Sequence, residues 1–209
     1  MKFDIITIFP EIFDSYFSES IIKRAKEKGL IKINVHNLRD YADNKFKKVD
    51  DGPYGGGPGM VMMAEPILKA VKKLKTKKLK TKVILFSTRG KKFDEKKAKE
   101  FSKLDQLIMI CGRYEGVDER VAQHIADEEI SIGDYILTGG EIPAMAVVDA
   151  VSRFIDGVLG KHESLEEVKG SYPVYTRPEE IVINKKKRAV PKVLISGNHK
   201  KIEEWRKNS

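Results

Sequence analysis

The stretch GRYEGVDER, which spans Gly112–Arg120, contains several residue types that could take part in chemistry. It directly follows the apolar run Leu107–Cys111, which is typical of a buried strand. A plain connector does not need Arg113, Tyr114 and Glu115 between two glycines. Backbone N–H groups in such a turn, just ahead of a helix, can bind an anion or the polar edges of a ligand. The turn is therefore a candidate ligand site.

The carboxylates of this turn also have a simpler explanation. A helix is predicted over Val117–Ala126, and both Glu115 and Asp118 lie at its N-terminus. The helix dipole stabilises negative charge there without any ligand. This explanation does not account for Arg113 or Tyr114, so the ligand-site hypothesis depends on those two side chains.

A second glycine-rich loop reads DGPYGGGPGMVMM and spans Asp51–Met63. Five of the eight residues 52–59 are glycine, which permits positive φ angles and close approach of a ligand to the backbone. The spacing matches neither the dinucleotide-binding motif nor the P-loop, which excludes a phosphate cradle of those types. Because Pro53 and Pro58 stiffen the loop, an ordered, ligand-facing loop is favoured over a linker.

Two further loops follow predicted strands. The segment SIGDYILTGGEIPAM spans Ser131–Met145 and leads through Gly139 and Gly140 into a helix, and STRG spans Ser87–Gly90. Ligands of parallel sheets bind on the loops at the carboxyl ends of the strands. Together with the GRYEGVDER turn, these loops predict one pocket formed by backbone amides and carbonyls, with few catalytic side chains. Such a pocket would suit a nucleoside-sized cofactor.

The elements that must position these loops alternate between strands and helices. Apolar runs of strand length and amphipathic segments of helical periodicity follow one another, which predicts an α/β fold with a parallel sheet covered by helices on both faces. The predicted strands are Phe3–Phe9, Leu30–Leu38, Lys82–Ser87, Gln106–Cys111 and Glu129–Ile132. The predicted helices are one that starts at Pro10 and stops at Gly29, then Met63–Leu74, Asp94–Ser102, Val117–Ala126 and Ile142–Ile155.

The rest of the chain is polar and rich in lysine and proline. Residues 1–159 are interpreted as the first domain, 160–176 as a linker and 177–209 as a small C-terminal module. Within that module the sequence predicts only the apolar run KVLIS and one helix over Asn198–Lys207, which Asn198 is expected to cap.

The charge balance indicates the class of partner. The 209 residues include 40 basic and 31 acidic side chains, for a net charge of +9. This excess favours an anionic partner, nucleic acid first, with a lysine-rich composition that serves solubility as the alternative. A solvated helix end is the favoured explanation for the run Lys72–Lys82. No apolar stretch approaches the roughly 20 residues of a membrane span, and the N-terminus does not resemble a signal peptide. We therefore expect no membrane partner and a cytoplasmic location.

Residue types also exclude several kinds of chemistry. A single cysteine, Cys111, permits neither a disulfide framework nor a zinc cluster, and its place in an apolar strand predicts an inert core thiol. The four histidines lack the spacing of metal ligands, so no metal site is predicted. No Ser–His–Asp arrangement is evident, so nucleophilic catalysis is not supported.

Six motifs carry a resemblance that covers nearly the whole chain. In order, they are PYGGGPGM, CGRYEGVDER, SIGDYILTGGE, VSRFIDGVLG, YTRPE and LISGNHKKIEEWR. They resemble the bacterial tRNA (guanine-N1)-methyltransferases, the TrmD family of the SPOUT superfamily. The resemblance implies a homodimer with a deep trefoil knot whose loops bind S-adenosyl-L-methionine in a bent shape. It also implies methyl transfer to N1 of guanosine at tRNA position 37, beside the anticodon, with Mg²⁺ as a possible further cofactor.

The resemblance also assigns roles to individual residues. Glu115 and Arg153 match catalytic positions, and the glycine-rich loop matches positions that face the target guanine, at Pro58, Gly59 and Met60. The positions that match cofactor contacts are Ser87, Gly112, Tyr114, Gly116, Ile132, Gly133, Asp134, Tyr135, Ile136, Leu137, Gly139, Gly140 and Pro143.

Two departures from the family pattern affect these expectations. In the linker, Val168 takes the place of the aspartate that serves the family as general base. Either Glu167 or Glu166 could replace it, and Glu167, directly beside Val168, is the expected substitute. The C-terminal module is shorter than in the family. A homologue that binds tRNA and cofactor but is catalytically impaired is therefore the alternative. A weaker one is a knotted methyltransferase acting on another RNA atom, such as a ribose 2′-OH, which does not explain the GGGPG and GRYEG loops.

Overall fold

Five parallel strands form one sheet in the first of two units into which the chain divides, Met1–Gly160 and Lys161–Ser209. The computed structural model describes residues 1–76, 78–159 and 172–208. The strands of the first unit are β1 (Lys2–Thr7), β2 (Lys32–Asn37), β3 (Asp50–Asp51), β4 (Val61–Met62), β5 (Thr81–Lys92), β6 (Gln106–Ile110) and β7 (Glu128–Ser131). The parallel sheet has the order β2-β1-β6-β5-β7, and β3 and β4 pair as a separate antiparallel hairpin.

Six α-helices belong to the same unit. They are α1 (Asp14–Phe17), α2 (Ser20–Glu27), α3 (Ala64–Leu74), α4 (Glu95–Phe101), α5 (Glu119–His124) and α6 (Glu141–Ser152), with 3-10 turns over Pro10–Phe13 and Leu38–Tyr41. Among the described residues, no helix is long and apolar enough to span a bilayer.

Hydrophobic clusters cover both faces of the parallel sheet. Successive residues of a strand point to opposite faces. Leu107 and Met109 of β6 accordingly join one buried cluster, and Ile108 and Ile110 join the other. Helices α1, α2, α4 and α6 contribute to the first cluster, and α3 and α5 to the second. The predicted α/β fold with helices on both faces of a parallel sheet is confirmed.

The prediction of one continuous helix from Pro10 is wrong. The chain breaks between α1 and α2, where Ser20 adopts a φ of 51°. The break shifts the buried face by one residue. Ile22 is therefore 4% exposed, whereas Ile21, which the spacing of Phe13 and Phe17 placed on the core face, is 38% exposed.

Strand β5 is longer than predicted and contains the STRG segment that the sequence predicts as a loop. Phe86 and Lys91 both pair with Ile130 of β7, so residues 87–90 form a bulge inside the strand. A Cβ at Gly90 would lie 2.5 Å from the backbone nitrogen of Ile130. The backbone of β7 therefore passes too close to the bulge for any side chain at that position.

The second unit contains a hairpin that the sequence does not predict. Strands β8 (Glu180–Ile183) and β9 (Lys186–Ala189) pair antiparallel, followed by α7 (Lys192–Ile195) and α8 (His199–Asn208). The expected cap is confirmed, because the backbone N–H of Lys201 donates to Asn198 Oδ1 at 3.2 Å.

Candidate functional site

A cavity of about 400 Å³ opens where β6 and β7 end and where β5 bulges. Its size lies within the range of small-molecule sites. The walls come from the carboxyl ends of neighbouring parallel strands, which is where ligands of such sheets bind. They are formed by residues 85–89, 112–117, 129–133 and 137–140, together with Glu119, Ala122, Tyr135 and Pro143.

Most residues that match cofactor contacts line this one cavity. Two of the matching positions do not line it. Asp134 pairs with Lys92 at 2.5 Å instead, and Ile136 is 87% exposed. The matching residues that do line the cavity are Ser87, Gly112, Tyr114, Gly116, Ile132, Gly133, Tyr135, Leu137, Gly139, Gly140 and Pro143.

The loops after β6 and β7 meet backbone to backbone at one side of the cavity. The N–H of Gly140 donates to the carbonyl of Gly112 at 3.0 Å. A Cβ at Gly140 would lie 2.6 Å from Cys111 Cα. Only glycine permits this approach, so the two loops form one continuous wall of main chain.

Arg113 fastens these loops to the sheet. Its Nε donates to Glu141 Oε2 at 2.9 Å, and its guanidinium also reaches the carbonyl of Thr138 at 3.2 Å. Glu141 is 1% exposed and accepts a second hydrogen bond, from the hydroxyl of Thr7 on β1, at 2.7 Å. The guanidinium carbon also lies 4.8 Å from the ring centroid of Phe9. The arginine of the GRYEGVDER turn is therefore a structural clamp rather than an open anion-binding group.

The N-terminus of the helix that follows the turn is likewise capped by a side chain of the protein itself. Helix α5 begins at Glu119 rather than at the predicted Val117, and Asp118 is its N-cap. Asp118 Oδ1 accepts the backbone N–H of Arg120 at 3.0 Å. The hydrogen bond from the Arg120 side chain contributes most to lowering the Asp118 pKa. The simpler explanation of this carboxylate, as a helix-capping group, is therefore sufficient.

The glycine-rich hairpin is joined to the other side of the same turn. The N–H of Glu115 donates to the carbonyl of Met60 at 3.0 Å, and the N–H of Met62 donates to the carbonyl of Gly116 at 2.9 Å. Four of its glycines have positive φ angles, so the loop is ordered in a conformation that favours glycine.

Glu115 connects the hairpin to the cavity. Glu115 forms part of the cavity wall. Its carboxyl lies against Gly59, where a Cβ would be 2.8 Å from Glu115 Cδ. Pro58, Gly59 and Met60 do not line the cavity itself, but Gly59 lies against the Glu115 carboxyl and Met60 is hydrogen-bonded to the Glu115 backbone. Two of the predicted groups of residues are thus brought together at Glu115.

Arg153 lies at the opposite end of α6 from the cavity. It is the C-cap of a helix of 12 residues whose first turn follows Gly140, and such a helix is about 18 Å long. Arg153 does not line the cavity. Glu167 and Val168, on which the question of the general base depends, lie outside the described residues.

Three charged residues of the cavity lining were not among the candidates that the sequence analysis named: Arg89, Glu119 and Glu129. Arg89 follows a predicted strand inside STRG, and Glu119 opens a helix inside GVDER, so both could have been found as charged groups at strand or helix ends. Glu129 pairs with Arg89 across 40 residues of chain, and no local pattern indicates that contact.

The described residues hold no group of three or more His, Cys, Asp or Glu side chains placed to bind a metal ion. Cys111 is fully buried, and burial raises its thiol pKa well above the ordinary value. This agrees with the prediction of an inert core thiol.

Comparison with known proteins identifies the family. The family model for tRNA (guanine-1)-methyltransferase TrmD matches residues 1–209. The chain belongs to this family. Relatives named tRNA (guanine-N(1)-)-methyltransferase include that of Carboxydothermus hydrogenoformans, 53% identical over 99% of this chain and 81% of the relative. That of Clostridioides difficile is 50% identical over 99% and 91%, and that of Dictyoglomus turgidum 54% over 99% and 84%.

Membership in the TrmD family confirms the resemblance drawn from the six motifs. It identifies the chain as a methyltransferase and implies a methyl donor such as S-adenosyl-L-methionine. The cavity at the ends of β6 and β7 has the size of a small-molecule site, and main chain forms its wall where Gly112 and Gly140 meet.

Proposed function

We propose that this protein transfers a methyl group from S-adenosyl-L-methionine to N1 of guanosine at position 37 of tRNA, next to the anticodon. One observation carries the proposal within the structure: Glu115 belongs both to the cavity wall and to the contact with the glycine-rich hairpin. A single carboxylate therefore lies between a cofactor-sized cavity and the loop that matches guanine-facing positions.

The main-chain wall of the cavity suits the adenosine part of the donor. Leu137 and Pro143 supply apolar surface, and the backbone around Gly112, Gly139 and Gly140 supplies N–H and C=O groups for the edges of a base and a ribose. When bound, the donor would supply an electrophilic methyl group on a positively charged sulfur. The role of these loops is to hold that group in line with the acceptor, which is a large part of catalysis by positioning.

The acceptor requires help from the protein because N1 of guanine carries a proton. Loss of that proton places negative charge on O6, which an arginine or a backbone N–H can stabilise. A carboxylate near N1 that takes the proton is worth roughly 10²–10⁴ in rate. We assign Glu115 to the guanine, Arg153 to the charge on O6, and Glu167 to the role of base.

The position of Arg153 supports a homodimer. A residue about 18 Å along α6 from the cavity cannot act there within its own chain, whereas a second copy could supply it. Exposed apolar side chains offer a surface for that copy: Ile142 of α6 is 55% exposed, and Phe9 and Tyr16 are 44% and 43% exposed. Tyr16 is joined to α6, the helix that also carries Ile142, by a 2.6 Å hydrogen bond to Asp149. Light scattering of the purified protein should give twice the chain mass.

A trefoil knot is part of the same proposal. The segment after β7 leaves the edge of the sheet and returns to the loop after β6, where Gly140 bonds to Gly112. Such a return is how a chain can come to thread through its own loop, and threaded chains are rare enough that only the family membership makes this one a reasonable expectation.

We further propose that the second unit is a tRNA-binding module and that the enzyme works in the cytoplasm. Hairpin β8–β9 turns at Asn184 and Lys185, both with positive φ, and carries exposed basic side chains along β9. Contacts with phosphates release counterions, so tRNA affinity should fall steeply with salt. Replacing Lys185, Lys186 and Arg188 with Gln should weaken tRNA binding and reduce the salt dependence without altering cofactor binding.

The test of the function is methyl transfer from labelled S-adenosyl-L-methionine to unmodified tRNA, with Mg²⁺ in the buffer. Transcripts with guanosine and with adenosine at position 37 are compared for wild type, Arg153→Ala and Glu167→Ala. We expect label only with guanosine, located at N1, and loss of transfer in both variants. Wild-type protein that binds cofactor and tRNA but transfers nothing would contradict the proposal and support the catalytically impaired homologue. Label on a ribose would support the other RNA methyltransferase.

A further inference from the structure

One end of the cavity is ionic, and the adenosine-binding role proposed above leaves it unused. Arg89, on the β5 bulge, pairs with Glu119 at the start of α5 and donates from Nε to Glu129 of β7 at 3.3 Å. All three residues line the cavity. They come from three different elements, and both glutamate carboxylates contact the guanidinium of Arg89.

The two ends of the cavity therefore differ in chemistry. The lining near Gly140 and Pro143 is main chain, apolar surface and Arg113, whose guanidinium is already paired with the buried Glu141. The lining at Arg89 holds one positive and two negative groups. A ligand that fits both ends must be apolar or nucleoside-like at one end and charged at the other. A nucleoside alone would leave the ionic end without a partner.

The ion pairs at this end can exchange partners at low cost. The side chain of Arg89 is 59% exposed and that of Glu119 is 52% exposed, and exposed pairs contribute little to stability. The backbone beneath Arg89 is fixed by contrast, because Gly90 lies directly against the β7 main chain. The guanidinium is thus held at the cavity on a rigid base while its partners remain replaceable.

We propose that Arg89, with Glu119 and Glu129, binds the charged amino-acid tail of the methyl donor. This inference rests on the proposed function. The planar guanidinium matches a carboxylate in a two-point hydrogen bond, and either glutamate can accept from the α-ammonium group. The three side chains sum to one negative charge, and a donor with a sulfonium, an ammonium and a carboxylate carries one net positive charge. The charges of these three side chains and of the donor therefore cancel.

The test compares two unreactive ligands by calorimetry on the full chain. S-adenosylhomocysteine has the amino-acid tail, and 5′-methylthioadenosine lacks it. We expect Arg89→Gln to weaken the binding of S-adenosylhomocysteine about tenfold, because one charged hydrogen bond is lost. The affinity for 5′-methylthioadenosine should stay within about twofold of wild type. Arg120→Gln is the matched control, because Arg120 is likewise an exposed arginine, lies next to Glu119 at the start of α5, pairs with Asp118 and does not line the cavity. It should change neither affinity.

The double variant Glu119→Gln/Glu129→Gln tests in the same way the contact with the α-ammonium group of the tail. It should weaken the binding of S-adenosylhomocysteine about tenfold and leave the affinity for 5′-methylthioadenosine unchanged. Equal losses for both ligands would show that the ionic end merely supports the pocket and would overturn the inference, as would no loss for either. Retained binding of 5′-methylthioadenosine shows that each variant is folded. A wild-type protein that binds neither ligand would contradict the proposed function itself, and the tail site with it.

Discussion

The two glycine-rich regions of the first unit use glycine for different reasons. In the cavity wall, a Cβ at Gly140 would meet the main chain of Cys111 at 2.6 Å, so glycine is required by lack of space. In the β3–β4 hairpin, a Cβ at Gly55 or Gly56 would meet nothing within 4 Å, but both residues have positive φ, 86° and 79°. There, glycine is required by backbone conformation.

This difference fits two different tasks. A wall built from touching backbones is rigid and cannot be displaced without moving a buried strand. A loop with left-handed glycines and open space around it keeps a defined shape while presenting its surface outward. The first arrangement suits a small cofactor, and the second suits a large substrate that approaches from solvent. Glu115 is the side chain at which the two regions meet.

The largest expected effect comes from removing the clamp of the rigid wall. Glu141→Ala leaves the Arg113 guanidinium without its buried partner and frees the Thr7 hydroxyl. Breaking such a buried pair costs about 3–5 kcal/mol. We expect a loss of unfolding free energy of that size in urea titration, with loss of S-adenosylhomocysteine binding. Glu95→Ala, an exposed glutamate in the first turn of α4, is the control and should change little. A small effect for Glu141→Ala would mean that the wall does not depend on this clamp.

Gly140→Ala tests the contact between the two loops directly. The added methyl group must displace either Gly140 or the buried backbone at Cys111, and overpacking of this kind costs about 1–3 kcal/mol. We expect a lower melting temperature and at least tenfold weaker S-adenosylhomocysteine binding. Unchanged cofactor affinity would show that the wall can widen and would remove the main distinction between the two regions.

A residue of the sheet that belongs to neither region provides a reference for both. Burial raises the pKa of Asp4, but hydrogen bonds from His36, Gln106, Lys2 and Asn34 outweigh it and lower the pKa to about 2. Because the folded-state pKa is below the unfolded one, this stabilisation is present above about pH 4 and is lost as the pH falls toward 2. It amounts to about 2 kcal/mol.

The measurement for Asp4 is the unfolding free energy of wild type and Asp4→Asn between pH 5 and pH 2. We expect the gap between the two proteins to narrow by about 2 kcal/mol as Asp4 becomes protonated in the wild type. A constant gap would contradict the assigned pKa. When the protein unfolds at any of these pH values, both glycine-rich regions should lose their structure together, because both are attached to the same sheet.

The smallest effect is expected in the hairpin. Gly55→Ala places a side chain in a left-handed conformation with free space around it, which costs about 1 kcal/mol. Gly52→Ala, where φ is not positive and nothing lies within 4 Å, should be nearly neutral and isolates the effect of conformation. Neither variant should change S-adenosylhomocysteine affinity, which titration calorimetry can establish. A loss of cofactor binding in Gly55→Ala would show that the hairpin also shapes the cavity.

The sequence predicts those parts of the fold that follow from local pattern. Fully buried strands such as β6 appear as uninterrupted apolar runs, and the order of strands and helices predicts the parallel sheet. The break between α1 and α2 at Ser20 is not predicted, because the i, i+4 spacing of Phe13 and Phe17 continues to Ile21 on its other side. The β8–β9 hairpin escapes because none of its residues is buried, so neither strand shows an apolar alternation.

The sequence predicts which loops form the candidate site, but it does not predict which charged residues pair within it. Glycine spacing and the family motifs indicate which loops form the cavity. The partner of Arg113 is 28 residues away on α6, and that of Arg89 is 40 residues away on β7. Such pairs depend on where strands lie in the sheet. For this reason the pairing of Arg113 with Glu141 is not predicted and Arg89 is overlooked, although both arginines line the cavity.

The most direct measurement compares cofactor binding with methyl transfer in Glu115→Gln, where the two regions meet. The cavity wall remains intact in this variant, so we predict that S-adenosylhomocysteine binds within about twofold of wild type. Single-turnover transfer to tRNA with guanosine at position 37 should be at least about tenfold slower, because the variant loses a charged hydrogen bond to the guanine. Equal losses of cofactor binding and of transfer, or transfer at the wild-type rate, would contradict the division of labour between the cavity and the hairpin.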